Sequence, residues 1–289
     1  MIDLHTHSTA SDGRLSPSEL IEASCRAGLE AVALTDHDTV SGLAEFMAAG
    51  RHRGVTAVPG VEIACSWYGL SLHLVGLFVD YENVVLLELL SSIRRHREER
   101  NRQILRNLQK LGIPLTDAAV QAESQGCEST VIGRLHFARA LVNGGYCLDL
   151  QQAFSRYLGS QAAAYVRRFL PLPGPAIETM HRAGGVVVLA HPLGGGGRIQ
   201  RGRLRQKMQR LVSLGLDAVE VRYSDYDQPR QQIASELADE FGLLPSGGSD
   251  FHGEHSSSIR LGRGYGNLVV PGEWLAPLRE RALFHTSLN

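Results

Sequence analysis

The sequence predicts an α/β fold built on a mostly parallel sheet, open or closed into a barrel. Three observations carry this reading. Short apolar runs alternate with helix-period segments along most of the 289 residues. Histidines and carboxylates cluster on those runs or just after them. One stretch, 97–168, abandons the alternation and reads as helical, which marks an insertion.

Taken in order, the first strand is expected at residues 2–4. Ser16 then precedes Pro17, with Glu19 three positions after the serine. That is a capping box with proline at the first helical position, opening a helix over 17–27. A strand at Ala31–Leu34 and a helix at 40–49 follow, then strands at 56–64 and 72–79 and a long helix at 82–111. Loops are expected at 112–114 and 125–130 inside the insertion, and 169–175, with three prolines and a glycine, reads as its return linker. The alternation resumes with a helix at 175–183, a strand at 186–190, a helix at 202–214, a strand at 218–221, a helix at 227–241 and a strand at 244–245. The domains expected are a catalytic body of 1–96 with 169–289, and an inserted helical subdomain, 97–168, that sets substrate specificity.

Apolar residues make up 43% and charged residues 20%, a globular balance, and the formal net charge of -1 argues against nucleic-acid binding through an overall positive field. No apolar run is long enough to cross a bilayer, and the N-terminus lacks a signal-peptide pattern. Cys25, Cys65, Cys127 and Cys147 form no CxxC pair. A cytoplasmic protein without a disulfide framework, membrane contact or obligate protein partner is expected.

Five clusters carry the chemistry. His5 and His7 stand two apart at the end of the first strand, where period-two geometry turns both toward one face and one metal ion. Asp12 follows in a Ser-Asp-Gly turn, close enough to add an oxygen ligand. Thr35-Asp36-His37-Asp38 follows the second strand, and His37 fits a metal ligand oriented by a neighbouring carboxylate; an Asp-rich turn capping the next helix is the competing reading. Glu62 lies at the end of the third strand, where a carboxylate is costly unless paired or metal-bound. His73 sits in the apolar run Leu72-His73-Leu74-Val75, His191 directly after the buried run ending at Ala190, and Asp250 and His252 repeat the two-apart spacing after the last strand. Nine such residues at one rim are too many for one ion and suit two or three, and mixed imidazole and carboxylate donors suit Zn, Mn or Fe better than Ca.

These motifs, DLHTHS-TASDG, LTDHD, PGVEI, the histidine of LHLVG, AHP and GSDFH, resemble the polymerase and histidinol phosphatase (PHP) superfamily and run from Asp3 to His252. Within it the segment Ile132-Gly133-Arg134-Leu135-His136-Phe137 is similar to a bacterial subgroup linked to the tryptophan operon, which has proline where this chain has Leu135. The resemblance implies a distorted seven-stranded (β/α) barrel. It implies that His5, His7, Glu62 and Asp250 hold one metal, that Glu62 bridges to a second held with His73 and His191, and that Asp12, His37 and His252 hold a third. The ions expected are two or three divalent cations, Mn2+ first, with Zn2+, Fe2+ or Mg2+ as alternatives. The implied activity is removal of the 3'-phosphate of nucleoside 3',5'-bisphosphates by metal-activated water, with 5'-to-3' trimming of short RNA.

Asp12, His37, Glu62, Asp250 and His136 are the expected catalytic residues, His136 by binding phosphate or protonating the leaving group. Arg134 is the first candidate for phosphate binding, because guanidinium matches phosphate oxygens bidentately. Phe137, Tyr146, Phe154 and Tyr157 offer an aromatic face for a nucleobase. A second basic feature, Arg198 with Arg201, Arg203, Arg205, Lys207 and Arg210, follows the glycines 194–197; it reads either as a substrate-binding track for an oligonucleotide or as a solvated helix face. His52, His96, His181, His255 and His285 have no metal-like context. The rival functions are a histidinol-phosphate or other small-metabolite phosphatase, a proofreading exonuclease domain, and a metal-binding scaffold without catalysis.

Overall fold

The computed structural model describes residues 1–124, 132–195, 199–253 and 258–288. The chain divides into two compact units, Met1–Leu90 with Leu170–Asn289, and Ser91–Phe169. Strands in chain order are β1 (Ile2–Asp3), β2 (Ala31–Leu34), β3 (Thr56–Trp67), β4 (Leu70–Leu77), β5 (Val186–Leu189), β6 (Ala218–Tyr223) and β7 (Leu244–Gly248). The α-helices are α1 (Pro17–Arg26), α2 (Leu43–Arg53), α3 (Val84–Lys110), α4 (Asp117–Gln121), α5 (Arg134–Asn143), α6 (Leu150–Ala153), α7 (Pro173–Arg182), α8 (Arg201–Ser213), α9 (Gln228–Phe241) and α10 (Leu275–Leu288).

All seven strands lie in the first unit, in one sheet ordered β1 to β7. The sheet nearly closes on itself: Leu4 N–H donates to Gly247 O at 3.1 Å, Asp250 N–H donates to His5 O at 2.9 Å, and Thr6 bridges Phe251 in parallel. Closure brings β7 against the segment after β1, and a Cβ on Gly248 would lie 2.4 Å from both Cβ and N of His5. Only glycine allows that approach. β2 shows why the strands read as unbroken apolar runs. Ala31 and Ala33 face the barrel interior with Ile2, Val58, Val75 and Val188, while Val32 and Leu34 pack outward on Leu20, Ile21, Leu43 and Phe46 of α1 and α2.

The mostly parallel expectation needs one correction. β3–β4 and β4–β5 pair antiparallel, whereas the other neighbouring strands pair in parallel. No helix separates β3 from β4; they are joined by a tight turn in which Tyr68 and Gly69 both take positive φ, 47° and 85°. That geometry matches the right-handed twist of a hairpin, and directly joined strands can only pair antiparallel. β3 therefore continues past the expected end at 64, and Glu62 sits within the strand instead of at its end. α10 was not anticipated: Leu278 and Ala282 reach the core while Leu283 and Phe284 stay exposed, and the helical stripe is weak. The capping box at Ser16 forms as read, with Ser16 and Glu19 exchanging side-chain to backbone hydrogen bonds.

The second unit is helical, with Ile104, Leu108, Leu141, Ala153 and Leu158 in its core. Phe137 is fully buried there, so it is a packing residue and not part of an exposed aromatic face. The loop expected at 125–130 lies outside the described residues, as do Cys127, Arg198 and His255.

At the N-terminal ends of β5 and β6 a buried carboxylate ties the strands to α7 and α10. Asp217 Oδ2 accepts from His181 Nε2 at 2.7 Å and Val187 N–H at 3.0 Å, and Oδ1 from Arg281 and His285 Nε2 at 3.0 Å each. The two imidazoles, which sequence reasoning set aside, stack at 3.9 Å. Burial would raise the Asp217 carboxyl, but the bonds from His181, Val187 and His285 hold it below its ordinary 3.8. A depressed folded value means the contribution is complete above about pH 4 and is lost as pH falls through the folded value. Asp217→Ala is expected to lower unfolding free energy by about 3 kcal/mol at pH 7 in urea titration, because four donors lose a buried acceptor. The gap to wild type narrows in acid; a gap that widens as pH falls from 5 to 3 contradicts this account.

Candidate metal centre

The opposite rim, at the C-terminal ends of the parallel strands, gathers all nine residues singled out in the clusters. Glu62 is the hub and is fully buried. Its Oε2 lies 3.3 Å from His5 Nε2, 3.3 Å from His7 Nε2 and 2.9 Å from His37 Nδ1. Its Oε1 lies 2.7 Å from His73 Nδ1 and 3.2 Å from His191 Nε2. Asp250 Oδ1 is 3.5 Å from His5 Nε2 and 3.1 Å from His7 Nε2. Asp12 completes the other side, 3.2 Å from His252 Nε2 and 3.8 Å from His37 Nε2.

The local sequence explains these placements. His5 and His7 leave β1 in extended register and both point inward, their rings 5.2 Å apart. Glu62 and His73 belong to the β3–β4 hairpin, so their elements are fixed to each other by the ladder. His191 and Asp250 end their strands with left-handed backbone, φ 30° and 55°. Such conformations cost of order 1–3 kcal/mol and are held by the surroundings. His191 N–H donates to Glu220 Oε2 at 2.5 Å, and Asp250 Oδ2 accepts from Tyr223 OH at 2.8 Å.

A second set of carboxylates orients the first without joining it. Glu220 Oε1 contacts His5 Nδ1 at 2.8 Å, which makes Nδ1 the donor and leaves the Nε2 lone pair facing Glu62 and Asp250. His252 Nδ1 donates to Asp250 O at 2.8 Å, which turns its Nε2 lone pair to Asp12. Asp36 accepts from Ser8 N–H at 2.8 Å, Ser8 Oγ at 2.7 Å and Ser11 Oγ at 2.5 Å, fixing the loop that carries His7 and Asp12. Asp3 does the same for the last strand, accepting from Ser249 N–H and Oγ and from Gly262 N–H. Sequence reasoning missed Glu220 and Tyr223. The signal for Glu220 was the one used for Glu62, a carboxylate within an apolar strand.

The donor set fits divalent cations. His5 Nε2, His7 Nδ1 and Nε2, and Glu62 Oε2 are buried without hydrogen-bond partners. Buried polar atoms are rarely left so, and these converge on common points. Groups of three or four candidate donors lie within 4.8 Å of one another: His5, His7 and Glu62; His37, Glu62 and His73; His5, His191 and Asp250; His7, Asp12, His37 and His252. Burial alone would raise Glu62, but the facing imidazoles of His37, His5 and His73 hold it well below the carboxylate range. Burial would lower His37, yet Glu62 and Asp12 push it up to about 9. A cation on these donors displaces protons, so metal affinity falls with pH.

Arg134 and His136 lie on α5 in the second unit. Arg134 donates to Leu158 O at 3.1 Å and stands over the rings of Tyr165 (5.6 Å) and Phe154 (5.9 Å). His136 is buried and its Nδ1 accepts the Gly133 N–H at 3.1 Å. The same unit holds a residue the sequence did not flag. Arg100 is buried, and its Nε and one Nη have no hydrogen-bond partner. Burial and the neighbouring Arg97, Arg134 and Arg168 push it down to about 10, which leaves it charged at neutral pH.

The PHP domain family model matches residues 3–157. The chain is 38% identical over 256 residues to a 5'-3' exoribonuclease of Haemophilus influenzae, covering 86% of this chain and 89% of that one. It is 36% identical over 256 residues to a 3',5'-nucleoside bisphosphate phosphatase of Chromobacterium violaceum, covering 87% of each. A structure from Bifidobacterium adolescentis, classed as a metal-dependent phosphoesterase, superposes with a TM-score of 0.81 at 28% identity, over 97% of this chain and 96% of that one.

Glu220→Gln is expected to keep the fold while weakening divalent-metal binding by about 10–100-fold, because His5 loses the partner that sets its tautomer. Competition against a fluorescent chelator measures this. Unchanged affinity means that Glu220 does not tune the centre.

Proposed function

The chain belongs to the PHP domain family, and from that premise we propose that it removes the 3'-phosphate of nucleoside 3',5'-bisphosphates, yielding the nucleoside 5'-monophosphate, and trims short RNA from the 5' end. The observation that carries the hydrolytic part is the set of orphaned buried donors around Glu62. The names of the two relatives above support the substrate class.

In this reading His5, His7, Glu62 and Asp250 hold one divalent ion, and Glu62 shares a second with His73 and His191. Asp12, His37 and His252 hold a third, with Mn2+ as the favoured metal. Bound ions of this kind neutralise phosphoryl charge and acidify water, which is most of what phosphate ester hydrolysis requires. The protein's own groups do the positioning. Glu220 and Tyr223 hold His5 and Asp250 in fixed orientation. The sealed, apolar barrel below the rim keeps the donors from relaxing. Water oxygen becomes bonded to phosphorus, the P–O3' bond breaks, and the ribose oxygen leaves with a proton.

Arg134 and Arg100 bind substrate phosphate. For Arg100 the buried guanidinium, with Nε and one Nη lacking a partner, supports this, since such a charge is costly without an anion. For Arg134 the support is the bidentate fit of guanidinium to phosphate oxygens. His136 acts on the phosphate or the leaving oxygen. The no-catalysis scaffold is disfavoured because all nine donors are present and assembled. Arg198, expected to touch substrate, lies outside the described residues.

Phosphate release tests the proposal, with manganese-loaded protein offered adenosine 3',5'-bisphosphate, AMP, histidinol phosphate and a short 5'-phosphorylated RNA. The bisphosphate is expected to react fastest and leave 5'-AMP, and Asp250→Ala to lose at least about 100-fold in kcat/KM. Preference for histidinol phosphate would overturn the substrate class and leave the metal centre standing.

A further inference from the structure

Beside the candidate ligands His73 and His191, the barrel unit carries a groove of about 500 Å3 that phosphate hydrolysis does not require. One wall is the tip of the β3–β4 hairpin, with Trp67 and Tyr68; the second is the segment after His191, with Leu193; the third is one face of α8. Its volume falls in the range that takes a ligand as large as a nucleotide.

The basic run read from the sequence divides in two on α8. Arg201 and Arg205 pair with Glu236 at 2.8 Å and Glu240 at 2.6 Å on α9. Arg203, Lys207 and Arg210, spaced i, i+4 and i+7, share another face and line the groove. Among the described residues no carboxylate lines it. Lys207 is partly buried, and burial pushes its ammonium below the ordinary value. Opposite, Tyr68 is 77% exposed, meets Trp67 edge to face at 5.3 Å and lies 5.2 Å beneath the Arg210 guanidinium. An exposed Tyr68 backed by the half-buried Trp67, facing unneutralised cations, fits a ligand that alternates flat rings with negative charges.

We propose that this groove is a track for single-stranded RNA, in which a base stacks at Trp67 and Tyr68 and the backbone phosphates meet Arg203, Lys207 and Arg210. Stacking on an aromatic platform with cations along the backbone is how sequence-tolerant single-strand binding is built. The groove adjoins the hydrolytic rim through the elements that carry His73 and His191, so it receives nucleotides continuing from the reacting phosphate. The inference rests on the phosphoesterase reading and gives its RNA-trimming part a binding surface.

Two variants test it, Tyr68→Ala and the double substitution Arg203→Gln with Lys207→Gln, in the metal-loaded full chain. Wild type is expected to hydrolyse a 5'-phosphorylated hexaribonucleotide with a kcat/KM about tenfold above the dinucleotide, the gain of one stacked base. Both variants should flatten that gradient while changing turnover of adenosine 3',5'-bisphosphate by less than about twofold. A gradient that persists in both variants overturns the proposal. If wild type hydrolyses neither substrate class, the phosphoesterase reading fails, and fluorescence anisotropy of a labelled hexaribonucleotide still decides the groove. Weaker binding in both variants supports the track, and equal binding overturns it. An acidic peptide that binds as tightly as RNA, with Tyr68→Ala without effect, would assign the groove to a protein partner and also overturn it.

Discussion

Glu62 is a carboxylate with no access to water, and five imidazoles approach its two oxygens within 3.3 Å. A charge so placed is prohibitively costly unless surrounded by compensating groups. The fold is organised to supply them from four places in the chain: the segment after β1 (His5, His7), the turn after β2 (His37), β4 (His73) and the end of β5 (His191), while Asp250 after β7 faces His5 and His7 from the other side. The barrel has to close almost completely for this, and Gly248 permits the last step by letting β7 touch His5. The antiparallel hairpin has a reason in the same constraint, since it carries Glu62, opposite Val75, and His73, opposite Ala64, as diagonal neighbours on one rigid ladder.

The polar interior is divided between groups that converge and groups that hold. Asp3, Asp36 and Glu220 spend their oxygens on backbone amides, serine hydroxyls and the far nitrogen of His5. They leave the converging donors with lone pairs aimed inward. Asp217, at the other end of the barrel, follows the holding pattern with four donors saturating it. The same residue types thus form converging donors at one rim and a saturated structural contact at the other.

Much of this was legible in the sequence because chemistry restricts residue type. A candidate metal rim needs imidazoles and carboxylates at strand ends, and His5, His7, His37, His191, Asp250 and His252 stand there in the sequence. The strand count was readable from apolar runs, because most positions on both faces of the strands are buried. What stayed hidden depends on distance in space. His181 and His285 looked unremarkable because their carboxylate lies 36 and 68 residues away. Arg100 sits on a charged stretch of α3 and reads as solvated; its burial comes from the rest of its unit. The division of the α8 cations into paired and groove-facing sets required α9, which supplies Glu236 and Glu240.

The most direct measurement of the central claim is the metal content of chelator-stripped protein reloaded with Mn2+, compared between wild type and Glu62→Gln. If Glu62 is the shared ligand around which the rim is built, wild type retains about two or three equivalents. The variant then retains about one or none at unchanged circular dichroism. Equal metal content in the two proteins would contradict the account.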